Sequence, residues 1–198
     1  MNQPLDSKPL TFKLILAFTI AAVVISAAAP CLAMASRPSK DLVIETQHLK
    51  FVITPDAQNK SFIDKKTGTD YCIQSPSSPL AYITKDGKDY NATSASLANG
   101  KLTLKFDQSQ AAAVIDIVKH KNYFIFKVAS LSNSDGIEKF TFVDMPLSTK
   151  GTLEDKFTAC ALALDLQTNI LELPGPVSRL RAMCYPRFGF AGAEAAII

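Results

Sequence analysis

Two dipeptides, Asp86-Gly87 and Asn99-Gly100, constrain this chain more than any other feature. A hairpin closed by two residues needs positive φ at both turn positions, and Asp-Gly and Asn-Gly are pairs that tolerate it. Leu80 to Thr84 and Asp89 to Ala92 flank the first pair; Ser94 to Leu97 and Lys101 to Phe106 flank the second. In the last of these runs Leu102, Leu104 and Phe106 share one face, and Lys101, Thr103 and Lys105 the other. That period of two describes an antiparallel strand with one buried and one solvated face.

The same rhythm extends in both directions. Leu42 to Thr46 and Leu49 to Thr54 read as strands, with Leu49, Phe51 and Ile53 on one face. Pro55-Asp56 and Asn59 connect them to a return over Ser61 to Asp64, and Gly68 offers positive φ in the turn that follows. Tyr71 to Ile73 continues into the Pro/Ser-rich loop Gln74 to Pro79. Ala112 to Val118 and Asn122 to Ser130 form a pair turned at His120-Lys121; being apolar on both faces, they are expected at the centre of a sheet covered on each side. Asp116 in that pair is expected to be satisfied by Lys127 across the hairpin. Ile137 to Asp144 follows the turn Asn133 to Gly136, with Phe140 and Phe142 inward, and Thr158 to Leu166 alternates through Cys160, Leu162, Leu164 and Leu166. Helical patterning is nearly absent, one turn over Gln108 to Ala113 excepted. The fold class is all-β, an antiparallel β-sandwich.

Ahead of the sandwich stands a leader. Lys8 and Lys13 precede an apolar run from Leu14 to Ala29, and Ala33-Met34-Ala35 supplies small residues before Ser36, the order of a secretory signal peptide. The run is shorter than the roughly 20 residues of a spanning helix and ends at Pro30. The expected organisation is a signal-peptide helix within residues 1–35, a linker at 36–41, and the sandwich domain over 42–198, exported to periplasm or medium with no stable membrane span. A lipoprotein reading through Cys31 conflicts with Pro30 directly before it. Without the leader 19 basic and 17 acidic residues remain, too balanced to call for nucleic acid as partner. Cys72, Cys160 and Cys184 also remain; an odd number without zinc spacing makes neither a disulfide framework nor a metal site. Cys160 reads as a small buried hydrophobe. The last six residues, AEAAII, read as an apolar core strand, which raises the expectation of a longer parent, and of a terminal edge prone to association.

The opening LVIETQHLKFVITPDAQNKSFIDKKTGTDY, residues 42 to 71, with its turn Asp64-Lys65-Lys66-Thr67-Gly68, resembles the start of galactose-mutarotase-like supersandwich domains. Such domains precede the catalytic barrel of several large secreted glycoside hydrolases. The resemblance implies a structural role beside a catalytic domain lying C-terminal to this one, with carbohydrate as ligand class and no cofactor. A self-contained extracellular carbohydrate-binding or surface protein is the alternative, and an aldose-epimerase-like enzyme a weaker one.

Catalytic residues do not carry over. Epimerase chemistry needs histidines and a carboxylate meeting over a sugar ring, whereas His48 and His120 both read as solvated turn residues. Glycoside hydrolysis needs two carboxylates across the scissile bond; Glu154, Asp155, Asp165, Glu172 and Glu194 are available without a pattern that opposes any two. There is no G-x-S-x-G, P-loop or H-E-x-x-H. The expected carbohydrate-contacting residues are Arg179, Arg181, Tyr185, Arg187 and Phe188, with Phe190 beside them, because aromatic rings stack on sugar faces and guanidinium donates in a fixed fork. Asn59-Lys60-Ser61 and Asn91-Ala92-Thr93 fit the glycosylation pattern.

Overall fold

The computed structural model describes residues 40–149, 154, 157–170 and 178–198; the expected leader helix and its cleavage point lie outside them. Within the described residues the chain is all-β. An antiparallel meander opens it: β1 (Leu42–Glu45), β2 (Leu49–Ile53), β3 (Asn59–Asp64) and β4 (Thr69–Asp70) pair in sequence order. The strands that follow are β5 (Tyr82–Lys85), β6 (Lys88–Asn91), β7 (Ser94–Ala98), β8 (Lys101–Phe106), β9 (Ala111–Lys119) and β10 (Phe124–Ser132). After them come β11 (Ile137–Leu147), β12 (Ala161–Ala163), β13 (Thr168–Asn169), β14 (Ser178–Cys184) and β15 (Glu194–Ile197). They divide between a six-stranded sheet, β12-β15-β10-β9-β8-β7, and a five-stranded sheet, β13-β14-β11-β5-β6. The only helical element among the described residues is a 3-10 turn, Pro186–Phe188.

Both diagnostic turns adopt the geometry their residues permit. Asp86 and Gly87 have φ of 51° and 67°, Asn99 and Gly100 of 51° and 75°, and Lys85 pairs with Lys88 as Ala98 does with Lys101. These are two-residue hairpins with positive φ at both central positions.

The sheets face one another in a sandwich-like way. Phe106 of the six-stranded sheet meets Phe140 of the five-stranded sheet edge-on at 5.9 Å. Phe124, also of the six-stranded sheet, stacks on Phe51 of the meander at 6.3 Å and meets Phe62 edge-on at 6.4 Å. One layer therefore covers two sheets, and those two are joined edge to edge. Asn59 N–H donates to Ser78 O (2.9 Å), Ile73 N–H to Pro146 O (3.2 Å) and Ser148 N–H to Tyr71 O (2.8 Å). All four Phe rings of the Phe51, Phe62, Phe124 and Phe126 group are fully buried; removing Phe124, which touches the other three, costs about 3–5 kcal/mol.

Several expectations are corrected. Tyr71 to Ile73, leading into the loop, carries a single bridge, Cys72 against Leu147. Residues 107–110 form the turn between β8 and β9, and strand resumes at Ala111. β9 and β10 are central as expected, but their second face is only partly covered: Val118 is 43% exposed and Lys127 is exposed. Lys127 pairs with Glu194, and Asp116 with Lys101. The expected inward alternation fails around β12: Leu162 within it and Leu164 and Leu166 after it are 46%, 48% and 98% exposed, and Cys160 before it is half-buried. In β12 Ala161 and Ala163 lie opposite the core residues Ile197 and Ala195, so the period of two turns Leu162 to the outer face. Glu194–Ile197 is instead an interior strand, bonded to β10 on one side and β12 on the other. It is not the open edge expected.

Candidate functional site

The expected basic-aromatic cluster splits in two along β14. Leu180, Ala182 and Cys184 face the core, so the period of two sends Arg179 and Arg181 to the opposite face. There they meet Asp144 of β11, whose side chain is 2% exposed. Arg179 grips it with both arms of its fork, Nε to Oδ1 at 2.5 Å and Nη2 to Oδ2 at 2.6 Å, and Arg181 Nε approaches Oδ1 at 3.4 Å. A β-bulge makes this possible. Between Thr141 and Val143 the register with β14 slips, so Phe142 and Val143 are both buried against the core and Asp144 falls opposite Arg181. Strict alternation from Phe140 and Phe142 would have driven the carboxylate inward.

Asp144 is also where the two joined sheets meet. Its N–H donates to Leu80 O at 2.7 Å, and its carbonyl accepts from Asn59 Nδ2 at 2.8 Å. Asn59 is 3% exposed and its Nδ2 is also within hydrogen-bonding distance of Ser78 O and Oγ, while its buried Oδ1 has no protein partner. At that burial Asn59 is no glycosylation acceptor in the folded chain; Asn91 is exposed. Arg179 and Arg181 thus clamp a carboxylate at an internal junction, with their own side chains 33% and 19% exposed.

The other half of the cluster borders a depression of about 730 Å³. Its position follows from topology. β10 passes to β11, and β14 to β15, from one sheet to the other at the same end of the fold, and the hollow lies between these two crossings. Ser130, Leu131 and the turn from Ser134 to Glu138 form one wall; Pro186 and Gly189 to Ala191 form the other. Phe190 supplies an aromatic lining, and Ser130, Ser134, Asp135 and Glu138 polar groups. Phe188, between Pro186 and Gly189, is 54% exposed, with the Arg187 guanidinium 5.6 Å from its ring centre. Gln167 Nε2 donates to Phe188 O at 2.6 Å and holds the loop. Tyr185 turns back instead, its hydroxyl 3.3 Å from Met183 Sδ. The Ser130–Glu138 wall was missed in the sequence; its only signal was the turn at Asn133 to Gly136, which reads as an ordinary connection.

The described histidines, and the carboxylates Glu154, Asp165 and Glu194, do not line this hollow. His48 and His120 are both exposed, and His120 stacks on Tyr123 at 4.4 Å, although Gln47 N–H to Lys121 O (3.0 Å) brings their loops together. Asp165 accepts from Gln167 N–H, Thr168 N–H, Thr168 Oγ and Glu194 N–H, which makes it a loop-closing residue. Glu154 is exposed, and Asp155 and Glu172 lie outside the described residues. In the Asp64 turn, burial disfavours the charged carboxylate, but bonds from Thr67 Oγ (2.7 Å) and Lys66 N–H (2.9 Å) outweigh it and hold its pKa below the usual range. Glu45 is lowered too, by its hydrogen bond and charge pairing with Lys65. A general acid needs the opposite shift. Burial pushes the Cys184 and Cys72 thiols up to about 12 and about 11, with Asp165 and Asp70 adding to it, so both are unreactive in place. Among the described residues no three His, Cys, Asp or Glu side chains are grouped to hold a metal.

The chain matches no protein-family model, no curated protein and no solved structure.

Proposed function

We propose that this chain is a non-catalytic β-sandwich module of an exported carbohydrate-active protein, of the galactose-mutarotase-like supersandwich kind, and that it contacts sugar at the Ser130–Glu138/Pro186–Ala191 depression. The observation that carries this reading is the depression itself: an open hollow with an aromatic lining and a polar rim, beside an exposed Phe188 backed by Arg187. A pyranose offers an apolar CH face to a ring and hydroxyls to serine and carboxylate groups, which is the pairing this hollow presents. The supersandwich reading is supported by the meander and the five-stranded sheet joining edge to edge opposite the six-stranded one. In this reading the module supports a catalytic domain of the same protein, and hydrolysis belongs to that domain.

Isothermal titration of the purified chain with neutral gluco-, galacto- and xylo-oligosaccharides tests it. At least one series binds, and Phe188→Ala weakens binding about ten-fold, the loss of one stacked ring at roughly 1–1.5 kcal/mol. Flat titrations across the panel, or binding untouched by Phe188→Ala and Phe190→Ala together, would sink the assignment.

A further inference from the structure

The outer face of the six-stranded sheet carries a row of charges that alternates strand by strand. Lys101 on β8 lies opposite Asp116 on β9, Asp116 opposite Lys127 on β10, and Lys127 opposite Glu194 on β15. Within the chain these close as two pairs, Lys101–Asp116 at 2.5 Å and Lys127–Glu194 at 3.1 Å. All four stay accessible, at 58%, 36%, 48% and 24% side-chain exposure in row order. One row along, Val118 of β9, 43% exposed, sits opposite Ile125 of β10, which is 8% exposed, so Val118 is the apolar side chain of this pair that a partner meets.

A row of plus, minus, plus, minus has a symmetry property. Turned about a two-fold axis parallel to the strands and lying between β9 and β10, it meets its own complement. Lys101 then faces Glu194 of a second copy, Asp116 faces Lys127, and Ile125 faces Val118, each contact occurring twice. That is the signature of an isologous interface. We propose that this face binds a second copy of the chain in that orientation. Four strands about 4.8 Å apart and some five residues deep give a footprint on the order of 14 by 17 Å, well below the roughly 800 Å² per partner of stable interfaces. The association is therefore weak, concentration-dependent and salt-sensitive.

Sedimentation velocity of the full chain from about 10 µM to 1 mM, with intact mass recorded, tests it. The wild type shifts from monomer toward dimer at low salt and back several-fold at about 0.5 M salt. Lys101→Glu and Glu194→Lys each place like charges across the axis and stay monomeric. Mixed in equal amounts they restore both contacts and dimerise. Val118→Lys, at an exposed position, abolishes wild-type association independently of the charge row. A wild type monomeric throughout, charge variants that associate as it does, or a mixture that stays monomeric while near-ultraviolet circular dichroism shows both variants folded, would each overturn the proposal.

Discussion

Replacing Asp144 by alanine tests the internal junction most directly. The carboxylate is 2% exposed and takes a two-armed contact from Arg179 at 2.5 and 2.6 Å and a longer one from Arg181 at 3.4 Å. Breaking a buried ion pair costs about 3–5 kcal/mol. The lower end applies, because Arg179 and Arg181 are 33% and 19% exposed and water takes up part of the loss. The backbone bonds to Leu80 and from Asn59 survive the substitution, so the fold persists. An Asp144→Ala cost of about 3 kcal/mol in a domain of this size lowers Tm by about 6–12 °C. Calorimetry gives the shift, and urea unfolding of Asp144→Ala, Arg179→Met and the double variant gives the coupling, about 1–2 kcal/mol for groups in direct contact. Arg179→Lys recovers only part of the loss, since an ammonium cannot make the fork. A Tm loss under about 2 °C, or coupling under about 0.5 kcal/mol, would refute the reasoning.

Three further outcomes follow from particular residues. Because the folded pKa of Asp64 is depressed, its contribution is fully present above the unfolded carboxylate range and is lost as pH falls through the folded value. Thr67→Ala therefore costs about 1 kcal/mol in urea at pH 7, and the gap to wild type closes toward pH 2. Gly100→Ala forces a β-carbon onto φ +75° with only ordinary contact to Ile117 O at 3.5 Å, so the cost is backbone strain alone. About 1–2 kcal/mol is expected, and a stabilised variant in calorimetry would contradict the hairpin geometry. Peptide mapping after iodoacetamide at pH 8 finds Cys160, half-buried, labelled before Cys72 and Cys184, which label only in denaturant.

What was legible in the sequence was local. Asp86-Gly87 and Asn99-Gly100 needed positive φ and received it, and Leu102, Leu104 and Phe106 alternated into the core. The same period misled around β12. Leu162, Leu164 and Leu166 alternate as cleanly, yet the register of β12 turns Ala161 to the core and Leu162 outward, the strand ends at Ala163, and all three leucines face solvent. Periodicity reports which residues share a face; only the sheet order says whether that face is covered. Sheet order depends on pairings such as Glu194–Ile197 with Phe124–Lys127, which no local pattern encodes.

The candidate site was harder for a related reason. Arg179, Arg181, Tyr185, Arg187 and Phe188 were grouped because they are near in sequence, but at roughly 3.3 Å per residue an extended strand puts Arg179 and Arg187 some 25 Å apart if it runs straight. What each residue does is decided by its partner across the sheet. For Arg179 that is Asp144, 35 residues back in the chain; for the Phe188 loop it is Gln167, 21 residues back. The bulge at Thr141–Val143 compounds the difficulty, since it inverts the face of every residue after it in β11. Sequence alternation alone would have buried Asp144 in the apolar core and left Arg179 and Arg181 free to be read as a binding surface. One extra residue in a strand thus brings the Asp144 carboxylate onto the face of Arg179 and Arg181 and makes a clamp that alternation alone does not foresee.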